Sequence, residues 1–178
     1  AKIQNLPVIK RGEMLGHIVA LMKNIVVAGS HGKTTTTSLI SAIFSETNLD
    51  PTVINGGVLN SFSNSAKLGK SDWCILESDE SDGSFLNLPS TYSIITNIDN
   101  EHLDFYGSFQ SLEDYFIKFI KKTPSFGKCF ICADDKNNKK IIQKIDNKNF
   151  LTYGFDKKSN FMLSNISQDP EVSSFDLI

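Results

Sequence analysis

Residues 25–37 read IVVAGSHGKTTTT, and this stretch decides the fold of the chain. The apolar run Ile25–Ala28 is typical of a short buried strand, and Lys33 and Thr34 open a helical pattern after a glycine-rich turn. Such a turn cradles phosphates, because its N–H groups and the N-terminus of the following helix both attract anions. The stretch therefore predicts a nucleotide site, and ATP is the ligand we expect.

The turn is shorter than the standard G-x-x-x-x-G-K-[ST] pattern, because Val27 stands where that pattern has its first glycine. The chemically important groups are still present. Lys33 can reach the outer phosphates, and the Thr34 hydroxyl is placed to ligate Mg²⁺. The alternative is a turn capped by Ser30 before an ordinary helix, but a threonine-rich first turn opens a helix poorly without a ligand. The expected ATP-binding residues are Gly29, Ser30, His31, Gly32, Lys33, Thr34 and Thr35.

Composition limits the class of protein. The chain has 178 residues, of which 40% are hydrophobic and 21% charged, which is typical of one globular domain. The net charge of -2 argues against a protein that coats nucleic acid or an anionic membrane, so we expect neither partner. One C-x-x-C pair, Cys129 and Cys132, together with Cys74, is a weak zinc signal. Buried thiols in the cytoplasm are the favoured interpretation.

Apolar runs alternate with helical patterns along the chain. The predicted strands are continuously apolar, as in strands covered on both faces; they are Ile25–Ala28, Thr52–Ile54, Trp73–Leu76, Tyr92–Thr96, Gly127–Ala133 and Asn149–Thr152. The predicted helices lie near Gly12–Leu21, Lys33–Glu46, Ser111–Lys122 and Asp134–Ile145. This alternation predicts an α/β fold with a doubly wound, mostly parallel sheet. The tail from Phe161 to Ile178 predicts a small antiparallel ribbon.

Two of the helices have an apolar stripe. In Lys33–Glu46 the spacing places Leu39, Ile40, Ile43 and Phe44 on one side, and in Ser111–Lys122 it does so for Leu112, Tyr115, Phe116 and Phe119. Residues three and four apart share one face of a helix. Such a stripe is typical of the side of a helix that faces the core.

Acidic and imidazole groups follow two of the predicted strands. In an open α/β sheet the ligand lies beyond the carboxyl ends of the strands. Glu77 comes directly after Trp73–Leu76, and His102 lies in the segment after Tyr92–Thr96. An isolated acidic turn usually faces solvent, and an isolated histidine is usually structural. Their expected place opposite the phosphate loop favours a metal site instead, with Glu77 as the best-placed carboxylate.

The segments together resemble the Mur ligase family, the ATP-dependent amide-forming enzymes of peptidoglycan precursor synthesis. The motifs that carry the resemblance are AGSHGKTTTT (Ala28–Thr37), INGG (Ile54–Gly57), ESDESDGSFL (Glu77–Leu86), TNIDNEHLD (Thr96–Asp104) and the lead-in PVIKRGEML (Pro7–Leu15). The D-E-S-D turn with the adjoining S-F-L is typical of the branch that adds alanine.

The resemblance implies a reaction and its residues. A ligase of this branch uses ATP and Mg²⁺ to join L-alanine to UDP-N-acetylmuramate through an acyl phosphate. The implied catalytic residues are Lys33, Glu77 and His102. Thr34 and Glu77 would hold one Mg²⁺, and His102 a second. The residues implied to lie near the muramyl group are Asn55, Gly56, Asp79, Glu80, Ser81 and Asp82.

The resemblance covers essentially all of this chain but only the middle of a full enzyme. It implies that residues 1–22 are the linker and lead-in helix that follow an N-terminal UDP-binding domain. Residues 23–178 would then be the central ATP-binding domain without its C-terminal part. We expect the chain alone to be inactive. Two residues depart from the family pattern, since Ser30 stands for a usual Thr and Glu101 for a usual Asp.

Alternative functions remain open at this point. A muropeptide-recycling ligase or a folylpolyglutamate-type ligase belongs to the same superfamily, although the E-S-D-E-S-D turn favours a muramyl substrate over a folate. A nucleotide-switch NTPase module would carry a guanine-reading N-K-x-D motif. The sequence has no such motif, and the segment Asp134–Asn137 resembles it only in composition.

Overall fold

The computed structural model describes residue 4 and residues 6–59, 64–146 and 149–178. Its strands are β1 (Lys23–Ala28), β2 (Thr52–Leu59), β3 (Asn64–Lys67), β4 (Trp73–Glu77), β5 (Tyr92–Ile95), β6 (Lys128–Cys132), β7 (Phe150–Gly154), β8 (Phe161–Gln168) and β9 (Ser173–Leu177). Its helices are α1 (Arg11–Ile18), α2 (Lys33–Ser45), α3 (Leu103–Tyr106), α4 (Phe109–Lys121) and α5 (Lys136–Lys144), with a 3₁₀ turn at Ser84–Asn87.

The strands form one sheet in the order β3-β2-β4-β1-β5-β6-β7-β8-β9. Every neighbouring pair from β2 to β8 is parallel, and the outer strands β3 and β9 are antiparallel to their neighbours. The predicted α/β class and mostly parallel sheet are confirmed. The predicted C-terminal ribbon is also confirmed, as the hairpin of β8 and β9.

The topology brings three strand ends together. Strand β1 lies between β4 and β5, with Val27 opposite Glu77 on one side and Ala28 opposite Ile95 on the other. After β1 the chain forms β2 and β3 on one side, returns to β4 beside β1, and then forms β5 on the other side of β1, so β1 marks the point where the strand order reverses. Ligands bind at this point in open α/β sheets.

Helix α4 covers the core as its sequence predicts. Leu112, Phe116 and Phe119 are at most 1% exposed, and the ring centroids of Phe116 and Phe119 lie 5.2 and 5.1 Å from that of Phe85. Aromatic side chains at these separations stabilise a core beyond the contribution of their buried area. The side chain of Ser108 caps the helix by accepting a hydrogen bond from the N–H of Ser111.

The apolar stripe predicted for α2 is wrong in part. Leu39 and Ile43 are 61% and 64% exposed, while Thr37 and Ser41 are buried. The helix is rotated so that the Thr34 hydroxyl reaches Glu77 on β4. Thr37 and Ser41 lie one and two turns further along the same face as Thr34, so these small polar residues meet the sheet.

Several short elements have no clear signal in the sequence. Strand β3, the 3₁₀ turn at Ser84–Asn87 and the four-residue helix α3 are each too short for a periodic pattern. Over the residues that the structure describes, no helix is long and apolar enough to cross a bilayer.

The cysteines are free thiols with different accessibility. Cys74 and Cys129 are fully buried, whereas Cys132 is half-buried. Burial raises the pKa of Cys74 and of Cys129 to about 12, far above the about 8.5 of an unperturbed thiol. Since only the thiolate is a good nucleophile, both side chains are unreactive in the folded chain.

We predict a distinct alkylation pattern for these thiols. Iodoacetamide should modify Cys132 in the native protein and reach Cys74 and Cys129 only after unfolding in urea. The native reaction of the buried pair should stay slow at pH values of both about 7 and about 9, because a thiol with a pKa of about 12 is almost entirely protonated at either pH and its side chain is buried. Peptide mass spectrometry measures each rate. Native labelling of Cys74 or Cys129 at the rate of an unfolded thiol would contradict their burial.

Candidate functional site

The loop between β1 and α2 has the shape of an anion cradle. Gly29 and Gly32 adopt φ values of 135° and 78°, which only glycine takes without strain. A Cβ at Gly29 would lie 2.1 Å from the Thr96 hydroxyl oxygen. The N–H groups from Gly32 to Thr35 have no hydrogen-bond acceptor in the described chain. Four unpaired donors at a helix N-terminus favour an anion there.

Two other loop N–H groups are already paired. Ser30 donates to the Asn97 carbonyl at 2.9 Å, and His31 donates to the Asn97 side-chain oxygen at 2.9 Å. The Ser30 hydroxyl accepts from the N–H of Asp99 at 2.8 Å instead of capping α2. The Thr96 hydroxyl donates to the His31 carbonyl at 2.7 Å. The segment after β5 therefore fixes the loop, and the available donors are those of the helix.

Thr34 and Glu77 lie side by side, as the sequence predicts. The Thr34 hydroxyl donates to a Glu77 carboxylate oxygen at 2.9 Å, and the N–H of Gly56 donates to the same oxygen at 2.8 Å. A Cβ on Gly56 would lie 2.9 Å from both carboxylate oxygens, so glycine is needed for this approach. A hydroxyl and a carboxylate at this separation fit Mg²⁺, which prefers oxygen ligands.

Lys33 and His102 both face Glu80. The Lys33 ammonium lies 2.9 and 2.8 Å from the two carboxylate oxygens of Glu80 and 2.6 Å from the Gly29 carbonyl. The His102 Nε2 atom lies 3.6 Å from Glu80 Oε1. His102 has a φ of 56°, a left-handed conformation that is uncommon outside glycine and that places it at the start of α3. The backbone therefore turns at His102, directly before α3 begins.

A second group of potential metal ligands surrounds His102. One ligand atom each from Glu80, Glu101 and His102 lies within 4.8 Å of the others. Two carboxylates and an imidazole at this spacing fit a divalent cation. Glu77 and this group line the same cavity, and Thr34 is hydrogen-bonded to Glu77. The residues present therefore fit the two cations that the sequence implies.

The cavity has a volume of about 340 Å³ and contains most of the predicted site residues. Those in its wall are Ser30, Lys33, Asn55, Gly56, Glu77, Asp79, Glu80 and His102. Asp82 lines an adjoining cavity of about 130 Å³. Ser81 is in the wall of neither; its N–H donates to the Asp79 carboxylate at 2.9 Å and shapes the acidic turn.

Arg11 and Glu101 are wall residues that the motif analysis did not assign. Arg11, the only arginine of the chain, lines both cavities from the start of α1. Burial opposes ionisation of Asp79, but hydrogen bonds from Ser81 and the charges of Lys33 and Arg11 lower its pKa below the usual range. Arg11 could have been found from its place in the lead-in motif, and Glu101 could have been found from its position next to His102.

Tyr106 joins the acidic turn to the core. Its hydroxyl donates to the main-chain carbonyl of Glu80, and its side chain is 6% exposed. Burial, with the nearby charge of Glu80, raises the pKa of Tyr106. The hydroxyl is consequently protonated at neutral pH and remains a donor that holds the turn in place.

Comparison with known proteins decides the family. The family model of the Mur ligase middle domain matches residues 27–178. This chain belongs to the Mur ligase family. The resemblance seen in the sequence is therefore confirmed.

The most similar relatives include two enzymes named UDP-N-acetylmuramate–L-alanine ligase. That of Pelagibacter ubique is 67% identical over 177 residues, which are 99% of this chain and 38% of that protein. That of Caulobacter vibrioides is 43% identical over 175 residues, covering 98% of this chain and 37% of that protein. The chain thus spans well under half the length of these relatives.

Solved structures agree with the fold. The UDP-N-acetylmuramate–alanine ligase of Thermotoga maritima superposes with a TM-score of 0.83 at 25% identity, over 99% of this chain and 39% of that one. The UDP-N-acetylmuramate:L-alanyl-gamma-D-glutamyl-meso-diaminopimelate ligase of Neisseria meningitides gives a TM-score of 0.85 at 21% identity, over 99% and 58%. The second likeness shows the fold alone.

Proposed function

We propose that this Mur ligase middle domain binds ATP and Mg²⁺ and provides the phosphoryl-transfer site of a ligase that joins L-alanine to UDP-N-acetylmuramate. The single observation that carries the proposal is the cavity, whose wall holds Lys33, Glu77 and His102 from three strand ends, with Thr34 hydrogen-bonded to Glu77. The relative at 67% identity, which is named for this reaction, supports the choice of substrates. We place residues 1–22 as the connection to a UDP-binding domain of the full-length protein.

The proposed first step transfers a phosphoryl group to the substrate carboxylate. A carboxylate oxygen of the muramyl group attacks the γ-phosphorus of ATP, and ADP leaves with the electron pair of the broken bond. The unpaired N–H groups at the start of α2 bind the phosphates. Lys33 donates to oxygens of the transferred group, where charge develops. Mg²⁺ at Thr34 and Glu77 and at His102 would neutralise phosphate charge when bound.

The proposed second step forms the amide. The amine of L-alanine attacks the acyl carbon, and inorganic phosphate leaves from the tetrahedral intermediate. The acidic turn Asp79–Asp82 and the pair Asn55–Gly56 lie in or beside the cavity wall, and in this proposal they position the muramyl group. We also propose a cytoplasmic location, which agrees with the three free thiols.

The test is product analysis with the full-length protein. We expect ADP, phosphate and UDP-N-acetylmuramoyl-L-alanine to form in equal amounts from ATP, UDP-N-acetylmuramate and L-alanine. Parallel reactions replace L-alanine by the tripeptide acceptor of muropeptide recycling, and ATP by GTP. Product with the tripeptide alone would assign the chain to recycling. Nucleotide hydrolysis that is independent of any acceptor, with a preference for GTP, would indicate a switch module and contradict the proposal.

A further inference from the structure

Glu80 is a buried carboxylate at the centre of the site. It is 2% exposed, and its main chain is fixed because its carbonyl accepts hydrogen bonds from the Tyr106 hydroxyl and from the N–H of Gly83. A buried carboxylate is costly unless it is paired. The groups that face its oxygens are the Lys33 ammonium and the His102 imidazole.

Lys33 has no free donor toward a phosphate in this arrangement. Its ammonium contacts Glu80 and the carbonyls of Gly29 and Ser30, at 2.6 and 3.2 Å for the two carbonyls. An ammonium has three N–H donors, so these contacts use all of them. Binding of a phosphate oxygen at Lys33 must therefore displace at least one contact. The contact with Glu80 is the one we expect to be lost, because the phosphate and the Glu80 carboxylate are both negative and compete for the Lys33 ammonium.

The carboxylate that loses Lys33 has a second partner within reach. Glu80 Oε1 already lies 3.6 Å from His102 Nε2, and Glu101 completes a group within 4.8 Å. A divalent cation there would neutralise the carboxylate that the phosphate has displaced. Lys33 and the Glu80–Glu101–His102 group thus share one carboxylate, that of Glu80.

We propose that Glu80 is a positioning residue that exchanges Lys33 for a divalent cation when nucleotide binds. Without ligand, Glu80 neutralises Lys33 and holds it over the loop. When nucleotide is bound, a phosphate oxygen pairs with the Lys33 ammonium, and the Glu80 carboxylate instead ligates a cation together with Glu101 and His102. Glu80 thereby couples phosphate binding to metal binding. Phosphate removes the Lys33 ammonium that neutralises Glu80, and the bound cation neutralises Glu80 in its place. The inference rests on the proposed nucleotide site.

The experiment measures that coupling in the full-length protein. Calorimetry gives the Kd of ADP in EDTA and in saturating Mg²⁺, for wild type and Glu80→Gln. Without metal, the variant should bind ADP about tenfold more tightly, because the competing charge is gone. The tightening of ADP binding by Mg²⁺ should shrink by about tenfold or more, because the cation loses a ligand. Titration with Mn²⁺, followed by electron paramagnetic resonance, should show weaker binding of the ion by the variant.

Two further variants separate this role from a structural one. Glu113 is also a buried carboxylate paired with a lysine, 2.6 Å from Lys144, and it lines neither of the two cavities at the site. Glu113→Gln should lower stability without changing the coupling. Glu101→Gln, at a side chain that is 40% exposed, should weaken Mn²⁺ binding but change the metal-free Kd of ADP less than Glu80→Gln does.

The outcomes are distinguishable. If Glu80→Gln changes both Kd values by the same factor, or if Glu113→Gln reduces the coupling equally, Glu80 is merely structural and the inference is wrong. If Glu80→Gln does not fold, loss of the Mg²⁺ effect in Glu101→Gln supports the exchange and an unchanged effect overturns it. If wild type binds no ADP under either condition, the proposed function fails instead.

Discussion

Lys33→Ala is expected to lower the rate of ATP-dependent amide formation by about 100- to 1,000-fold in the full-length protein, the usual cost of removing a donor to developing charge. Lys33 is the first residue of α2, where the N–H groups are unpaired, and its side chain is only 14% exposed. Single-turnover measurement of ADP formation reports the phosphoryl-transfer step directly. A rate within about threefold of wild type would exclude the role of Lys33.

A control must separate catalysis from stability. Lys33→Ala leaves the Glu80 carboxylate buried without its cation, which costs about 3 kcal/mol or more of folding free energy. The double variant Lys33→Ala/Glu80→Gln removes that charge, so its urea midpoint should recover toward wild type. Its phosphoryl-transfer rate should stay low. Recovery of the rate together with stability would show that Lys33 acts only in folding.

Glu77→Gln is expected to raise the Mg²⁺ concentration for half-maximal activity by about 10- to 100-fold or more, since changes around a metal commonly cost that much affinity. Gln keeps an oxygen that can accept from Thr34 and from the N–H of Gly56, so the local fold should survive. The lost charge should act mainly on the cation. The Mg²⁺ dependence of ADP formation, measured at saturating ATP, gives the shift.

The matched control for Glu77 is Glu46→Gln. Glu46 is an exposed residue that follows the last turn of α2, away from the cavity wall. It should show the Mg²⁺ dependence of wild type. An unchanged Mg²⁺ requirement in Glu77→Gln, or an equal shift in Glu46→Gln, would contradict the metal role of Glu77.

The parts of the site that the sequence predicts are those set by topology. Parallel strands end at the same edge of a sheet, so the residues after β1, β4 and β5 had to be neighbours once the alternation of strands and helices was recognised. This is why Thr34 and Glu77, which are 43 residues apart, could be expected to meet. The strands themselves were predictable because they are continuously apolar.

The parts that the sequence does not predict depend on rotation and on turn conformation. Periodicity identifies an apolar stripe on α2, but it cannot show that Thr34 sets the rotation of the helix and leaves Leu39 and Ile43 exposed. The D-E-S-D motif likewise gives no signal that Glu80, rather than its neighbours, turns inward to Lys33. That direction is fixed by the contact with Tyr106, 26 residues away.

The hydrogen bonding of the phosphate loop to Asn97 is a third feature that the sequence does not predict. A glycine-rich turn predicts free N–H groups throughout, whereas those of Ser30 and His31 are paired with Asn97. The pairing comes from a segment after β5, 66 residues beyond His31. Long-range hydrogen bonds of this type leave no local pattern in the sequence.

The most direct test of the account replaces Mg²⁺ by Mn²⁺ in the full-length protein, with a non-hydrolysable ATP analogue and ¹⁵N-labelled histidine. Electron spin-echo spectroscopy then reports which nuclei lie next to the bound ion. We predict coupling to phosphorus and to an imidazole nitrogen, with the nitrogen coupling lost and the phosphorus coupling kept in His102→Gln. Absence of nitrogen coupling in wild type, or its persistence in His102→Gln, would contradict the convergence of the three strand ends on one triphosphate and its cations.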